Sequence, residues 1–205
     1  MVGKGKIGIH GNALTLLIVG ISIIAYSIPQ LSGFLVYDRQ KILDGEFWRL
    51  VTAPLVHFSI SHVFWDTLVF GIAGLAINAS GFRNFWLVCS SSTVVISLFC
   101  LIALPELGRY GGLSGLATAA VAYFCLCRVV TTRKNRIIWL LLLLFMIVKV
   151  VVETALDNPI FAQIAKTPYR VLPSAHILGF LCAISTIIWT WPKIYLHRTP
   201  NSGRM

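Results

Sequence analysis

The chain has 205 residues, of which 57% are hydrophobic and 12% are charged, and its formal net charge is +10. Soluble domains are nearer about 45–50% apolar, so this composition excludes an ordinary soluble globular domain. The positive charge could indicate nucleic acid binding, but the unequal share of basic residues among the loops is better explained by orientation in a membrane. We therefore expect a lipid bilayer, and no nucleic acid, as the surrounding partner.

Six apolar segments follow one another along the chain, most of them close to the ~20 residues that cross about 30 Å of hydrocarbon. Their expected ranges are 13–28, 61–77, 85–104, 114–127, 137–156 and 174–191. The sequence predicts one all-α membrane domain over residues 1–205, with six transmembrane helices and the fold class of a polytopic membrane protein. Residues 1–11 and 197–205 are expected to be short tails.

Local signals mark the ends of these segments. Asn12 is a plausible cap for the first helix, and Pro29 and Pro192 are expected to end the first and the sixth. Residues 30–56 mix charged and aromatic side chains, which is typical of a structured loop lying in the membrane interface.

Basic residues predict the orientation. Six segments put both termini on one side, and the side richer in Lys and Arg is cytoplasmic. With cytoplasmic termini, the inside set is Lys4, Lys6, Arg83, Arg128, Arg133, Lys134, Arg136, Lys193, Arg198 and Arg204. The outside set is Arg39, Lys41, Arg49, Arg109, Lys166 and Arg170. The larger inside set predicts cytoplasmic termini, with the fourth and sixth segments beginning at the outer face.

A glycine-rich stretch, Gly111-Gly112-Leu113-Ser114-Gly115, lies where a loop enters the fourth segment. A serine in a membrane helix commonly bonds to its own backbone. Here Gly112 and Gly115 permit an unusual turn and close backbone approach. Unpaired N–H groups at a helix start can also bind an anion. A serine nucleophile and oxyanion donors would then share one turn.

A histidine opens the sixth segment. His176 precedes Gly179 by three residues, so both lie on one helix face, and the glycine permits a neighbouring helix to approach closely. The histidine could simply bond to another helix, although polar residues at bilayer depth are functional candidates by default. If the neighbour is the fourth segment, His176 can serve Ser114 as general base and then as general acid.

A second polar cluster surrounds the start of the second segment. His62 and Asp66 are four residues apart and share a helix face, and His57 lies just before them. Three such groups could hold a metal, but their spacing matches no zinc helix signature. The five cysteines also lack paired spacing. We expect no metal and no cofactor. The alternative is catalytic, with His62 donating to an oxyanion.

Lys149 and Glu153 are four residues apart in the fifth segment. The favoured interpretation is an ion pair that satisfies itself within the membrane. The alternative is a group that grips the end of a substrate.

Taken in order, these motifs resemble the rhomboid family of intramembrane serine proteases. The family pattern has Trp-Arg in the first outer loop, two histidines five residues apart, Gly-x-Ser-Gly opening the fourth helix and His-x-x-Gly on the sixth. The matching residues are Trp48, Arg49, His57, His62, Gly112, Ser114, Gly115, His176 and Gly179. The six-helix form looks most like the bacterial rhombosortase branch, which is associated with C-terminal sorting signals made of Gly-Gly, a hydrophobic helix and a basic tail.

The resemblance implies an endopeptidase that cleaves a single-pass transmembrane protein substrate near the outer face, within its C-terminal helix. Ser114 would be the nucleophile and His176 the base. The Ser114 backbone N–H and the His62 side chain would line the oxyanion hole. Trp48 and Arg49 would belong to the outer loop that lies in the membrane face.

Asp66 departs from the family pattern, which has an asparagine there as an oxyanion donor. An ionised carboxylate only accepts hydrogen bonds and would repel an oxyanion. Asp66 could be protonated by burial, could hold His62 charged, or could face elsewhere. We favour the second, because an Asp one turn away makes His62 a better donor.

Other departures concern packing. Thr118 replaces a tyrosine that stacks on the dyad histidine in many members, so another group must fix the His176 ring. Ala122 and Ala183 replace common glycines but are still small. The alternative function is a catalytically inactive rhomboid-like protein that binds membrane helices. The presence of both dyad residues argues against it, and the absence of an inverted repeat argues against a transporter.

Overall fold

A computed structural model describes residues 4–156 and 172–196. The helices are α1 (Lys4–Ser27), α2 (Pro29–Leu35), α3 (Arg39–Leu43), α4 (Arg49–Thr52), α5 (Ile60–Ala79), α6 (Phe85–Ala103), α7 (Ser114–Thr131), α8 (Arg136–Leu156) and α9 (Pro173–Leu196), with a 3₁₀ turn at Ala53–Leu55. Two short strands, β1 (Tyr37–Asp38) and β2 (Arg109–Tyr110), pair outside the helices. The predicted all-α fold class is confirmed for this part of the chain.

Five helices, α5 to α9, are each long and apolar enough to cross a membrane. The first span meets this test only when α1 is taken with α2, which is bent from it by 117°. Pro29 is the first residue of α2, where its missing N–H costs no hydrogen bond. The protein is therefore a multi-pass membrane protein with five or six spans, in agreement with the six predicted segments.

Two predicted helix ends are wrong. Asn12 is not a cap, because α1 begins at Lys4 and most of the expected tail at 1–11 is helical. The last helix does not stop at Pro192 but continues to Leu196. One missing N–H does not end a membrane helix, because neighbouring groups satisfy the carbonyl that is left. The predicted tail at 197–205 lies outside the described residues.

Helix α7 is the central helix of the bundle and packs against α5, α6, α8 and α9. Its buried side chains are mostly small, namely Gly115, Ala117, Ala119, Ala120, Ala122, Cys125 and Cys127. Small side chains let several helices approach one axis closely. Helix α8 is the contrast, because the only residues it buries are Leu143 and Glu153. Its other side chains are mostly apolar and face outward, as lipid requires.

The loop between α2 and α5, which the basic residues predict to lie on the outer side and which we call the outer loop, is organised by the buried guanidinium of Arg49. Its Nη1 donates hydrogen bonds of 2.8 Å to the carbonyl oxygens of Gly33 and Val36, and its Nε donates one of 2.7 Å to Glu46 Oε2. These bonds fold the chain between α2 and α4 around one side chain. The prediction of a structured loop at 30–56 is confirmed.

Strand pairing joins this outer loop to the loop that precedes α7. The two strands are antiparallel, with Tyr37 opposite Tyr110 and Asp38 opposite Arg109. The Arg109 Nε also lies 3.2 Å from Asp38 Oδ2. The start of α7 is therefore held in register with the outer loop.

We predict that Arg49→Met unfolds this loop. The substitution leaves the Gly33 and Val36 carbonyls and the Glu46 carboxylate without their donor, and each charge-assisted bond is worth about 1.5–3 kcal/mol. Thermal unfolding in detergent should show a free energy of unfolding that is lower by at least ~3 kcal/mol than that of the wild type. Lys41→Met, at an exposed position of the same loop, is the matched control and should unfold like the wild type. Equal midpoints for all three proteins would contradict this account of the loop.

Candidate active site

The turn into α7 requires glycine at two positions. Gly112 has a φ of 130°, which side chains rarely adopt, and a Cβ there would lie 2.7 Å from His62 Nε2 and 3.5 Å from Asp66 Oδ2. A Cβ on Gly111 would lie 2.8 Å from the carbonyl oxygen of Val56. The glycines let the backbone just before Ser114 pass directly against the histidine cluster.

Two backbone donors fix this turn. The Gly112 N–H donates to the Ala53 carbonyl oxygen at 3.3 Å, and the Leu113 N–H donates to His57 Nε2 at 3.3 Å. Helix α7 begins at the next residue, Ser114, which is half-buried. The first N–H groups of α7 have no partner within the helix and face the same end.

His57 acts here as a neutral acceptor. Its side chain is buried, and burial lowers its pKa although the neighbouring Asp66 carboxylate opposes the shift. A neutral ring with the proton on Nδ1 leaves the Nε2 lone pair for the Leu113 N–H. We infer that His57 fixes the turn before Ser114, a role that its sequence position alone did not indicate.

His62 and Asp66 lie on the first two turns of α5. Ser59 caps the helix by accepting the His62 N–H at 3.1 Å. Asp66 Oδ2 lies 3.2 Å from His62 Nε2 and 3.3 Å from His57 Nε2. The two imidazole rings meet edge to face with centroids 4.9 Å apart. The hypothesis that Asp66 faces away from the site is therefore wrong.

The contacts of Asp66 Oδ2 with the two imidazole rings have ion-pair distances but are not aligned as hydrogen bonds. The His57 Nε2 lone pair is already used by the Leu113 N–H. His62 Nε2 is therefore the ring nitrogen beside Asp66 for which no such bond is seen among the described residues.

The same three side chains are the described group best placed to hold a metal. Their ligand atoms lie within 4.8 Å of one another, and two imidazoles with one carboxylate suit a divalent transition metal. His57 Nε2 already accepts the Leu113 N–H, so a metal bound through that nitrogen would compete with the bond that fixes the turn.

The starts of α7 and α9 are in direct contact. A Cβ on Gly115 would lie 3.2 Å from the Ala175 carbonyl oxygen, and a Cβ on Gly179 would overlap the Gly115 carbonyl. Ser114 and His176 are the chain neighbours of these contacting residues. His176 is buried, at 4% exposure. The structure thus brings together the two helix ends that carry the predicted nucleophile and the predicted base.

Helix α8 adds a contact to His176 that sequence reasoning missed. Glu153 Oε2 lies 2.6 Å from Lys149 Nζ, as the predicted ion pair requires, and also 3.3 Å from His176 Nδ1. The available signal was indirect: a carboxylate in a membrane helix, and a threonine at 118 where a ring-fixing tyrosine was expected.

Trp48 lies away from this cluster, in the outer loop. Its ring stacks on Phe34 with centroids 5.2 Å apart, and its Nε1 donates to the Phe34 carbonyl oxygen at 3.2 Å. It is 40% exposed. Trp48 and Arg49 therefore shape the outer loop and do not contact the cluster.

The family model of the rhomboid domain matches residues 44–193, which is more than half of the chain. The chain belongs to the rhomboid family. Members of this family are typically intramembrane serine proteases, and the matched range contains all nine residues on which the resemblance was based. Among individually curated proteins, none matches this chain. Assignment to the rhombosortase branch stays a prediction.

We predict that His57 makes stability depend on pH. Its pKa is lowered in the folded protein, so the unfolded chain takes up a proton first as the pH falls through the ordinary value of 6.5. Its contribution to stability is present above that pH and declines below it. In His57→Gln, an amide oxygen can accept the Leu113 N–H without titrating. The unfolding midpoint in detergent should therefore fall less steeply below pH 6.5 in the variant than in the wild type. Parallel profiles would show that His57 is not held neutral.

Proposed function

We propose that this rhomboid-family protein is an active serine endopeptidase of a bacterial cytoplasmic membrane. It cleaves a single-pass transmembrane segment near the outer face. The observation that supports this most directly is the glycine contact between α7 and α9, which adjoins Ser114 and His176. The excess of basic residues on the side assigned to the termini supports the orientation.

In the proposed reaction, Ser114 Oγ bonds to the scissile carbonyl carbon while His176 Nε2 takes the hydroxyl proton. The carbonyl oxygen becomes an oxyanion. When the C–N bond breaks, the imidazolium returns its proton to the leaving amine. Water from the outer face then attacks the acyl-enzyme ester, again with His176 as base, and Ser114 recovers its proton.

The oxyanion would be held by the Ser114 backbone N–H and the His62 Nε2–H. His62 packs directly against the backbone at Gly112, two residues before Ser114, so both proposed donors lie at the same turn. Asp66 would orient the His62 ring, since its Oδ2 lies 3.2 Å from His62 Nε2. This role lets a carboxylate remain where the family has an asparagine.

The substrate would present small residues at the cut. Helices α7 and α9 pack on glycine and alanine, so little room is left between them near Ser114. A Gly-Gly pair ahead of a C-terminal hydrophobic helix fits that space and also breaks the helix locally. This preference agrees with the resemblance to the rhombosortase branch.

The alternative is an inactive relative that only binds membrane helices. One observation favours it, namely the Asp66 carboxylate beside the space proposed for the oxyanion. The two functions differ in whether Ser114 is needed for cleavage.

We predict that Ser114→Ala abolishes cleavage of a secreted reporter that ends in Gly-Gly, a hydrophobic helix and a basic tail. Mass spectrometry of the reporter from cells with each variant would show the retained C-terminal helix. Ser90→Ala removes an exposed hydroxyl that bonds only within α6, so this matched control should cleave normally. Cleavage by Ser114→Ala would contradict the proposal. If the wild type cleaved a reporter with Leu-Leu in place of Gly-Gly equally well, the Gly-Gly preference would be excluded, but the protease function would not.

We predict opposite results for two neighbours in the histidine cluster. His62→Ala should lower the cleavage rate by about 10²–10³-fold, the usual effect of losing one oxyanion donor. Asp66→Asn should keep most activity, because the amide restores a donor. Initial rates in detergent, with and without a chelator, provide the measurement. Retained activity in His62→Ala would rule out the donor role, and loss of activity on chelation would indicate a metal instead.

A further inference from the structure

Glu153 is an unusual residue for the helix that carries it. Apart from Leu143 it is the only side chain that α8 buries, and it is 2% exposed. A carboxylate at membrane depth is costly unless it is paired. We therefore expect a group on the neighbouring helix α9 that favours a buried carboxylate at this position.

The charge of Glu153 is balanced locally. Lys149 Nζ lies 2.6 Å from Oε2, one helical turn away, and its side chain is 23% exposed. Lys149 can thus extend toward the membrane edge while neutralising the buried carboxylate. This pairing alone would not require Glu153 to face the bundle.

The same oxygen reaches the predicted base. Oε2 lies 3.3 Å from His176 Nδ1, on a ring that is itself nearly buried. His176 Nδ1 makes no aligned hydrogen bond to any described residue, so the carboxylate is the group best placed to accept a hydrogen bond from its N–H. Catalytic hydrogen bonds are often long or poorly aligned without substrate and tighten when it binds.

We propose that Glu153 is a positioning residue that holds the His176 imidazole through Nδ1, so that Ser114, His176 and Glu153 act as a serine-histidine-carboxylate triad. This inference rests on the proposed protease function and adds a third member to its dyad. It also names the group that fixes the His176 ring where Thr118 cannot stack on it.

In this triad each proton has a defined position. The Nδ1 proton stays on His176 and points at the Glu153 carboxylate, which leaves the Nε2 lone pair for the Ser114 hydroxyl proton. When Nε2 takes that proton, the ring becomes an imidazolium, and the carboxylate stabilises the new charge. No proton moves to Glu153. Lys149 Nζ, 2.6 Å from the same carboxylate oxygen, balances its negative charge.

The test uses a fluorophosphonate probe on the full-length protein in detergent. Ser114 Oγ forms a bond to phosphorus, fluoride leaves, and the hydroxyl proton passes through His176 to solvent. Glu153→Gln keeps the shape of the side chain but removes its charge. We expect its second-order labelling rate and its kcat on a peptide substrate to fall about 10²-fold, within the range of acid–base contributions. KM and the unfolding midpoint should change little.

Matched variants separate positioning from a structural effect. Thr154→Val alters an exposed neighbour on α8 that bonds only to its own helix, and it should label like the wild type. Glu153→Asp retains the charge one methylene shorter and should recover part of the rate. A labelling rate and a kcat equal to those of the wild type in Glu153→Gln would overturn the proposed role of Glu153.

A spectroscopic measurement keeps the inference testable even if a Glu153 variant fails to fold. In ¹⁵N-histidine-labelled wild type, a carboxylate-bonded Nδ1–H of His176 should give a downfield proton resonance that is missing in His176→Ala. Its absence from the wild type would overturn the inference without any Glu153 variant. A wild-type protein whose Ser114 is not labelled at all would instead overturn the proposed protease function.

Discussion

The site depends on how closely α7 and α9 approach each other. Within a bilayer there is no hydrophobic driving force between helices, so association relies on packing and on polar contacts. Gly115 and Gly179 let the two backbones touch, and any side chain at Gly179 would meet the Gly115 carbonyl. Ser114 and His176 adjoin the residues of this contact, so the separation between their side chains depends on it. Ala122 and Ala183, both fully buried, continue the small-residue packing further down the bundle.

Around that contact the protein places two buried carboxylates, each beside histidine. Asp66 lies between His57 and His62, and Glu153 lies between Lys149 and His176. Neither carboxylate is isolated, which is the condition for keeping a charge at low dielectric. The two groups lie on different helices, α5 and α8, which both pack against α7. Asp66 is proposed to serve the oxyanion and Glu153 the base, so the polar groups of the site come from two neighbours of one central helix.

The sequence was sufficient for features that are local in the chain. Hydropathy located the spans, Pro29 marked a real break, and the four-residue spacing of His62 and Asp66 placed them together. It was insufficient where tertiary contact decides. Glu153 and His176 come from different helices, and no periodicity in either one indicates the other. The predicted helix end at Pro192 was wrong for a related reason. Proline is a local helix-breaking signal, but the surrounding residues continue α9 past it to Leu196.

The two-residue strand pair has a consequence for how a substrate would be measured. Through Tyr37 and Tyr110, the loop that leads into Ser114 is fastened to the same outer segment that carries Trp48. An exposed tryptophan of this kind prefers the level of the lipid headgroups. The strand pair therefore links the position of Ser114 to the depth at which Trp48 lies in the membrane. If Ser114 cuts as proposed, the bond that it cuts would be selected by its distance from the membrane surface as well as by its sequence.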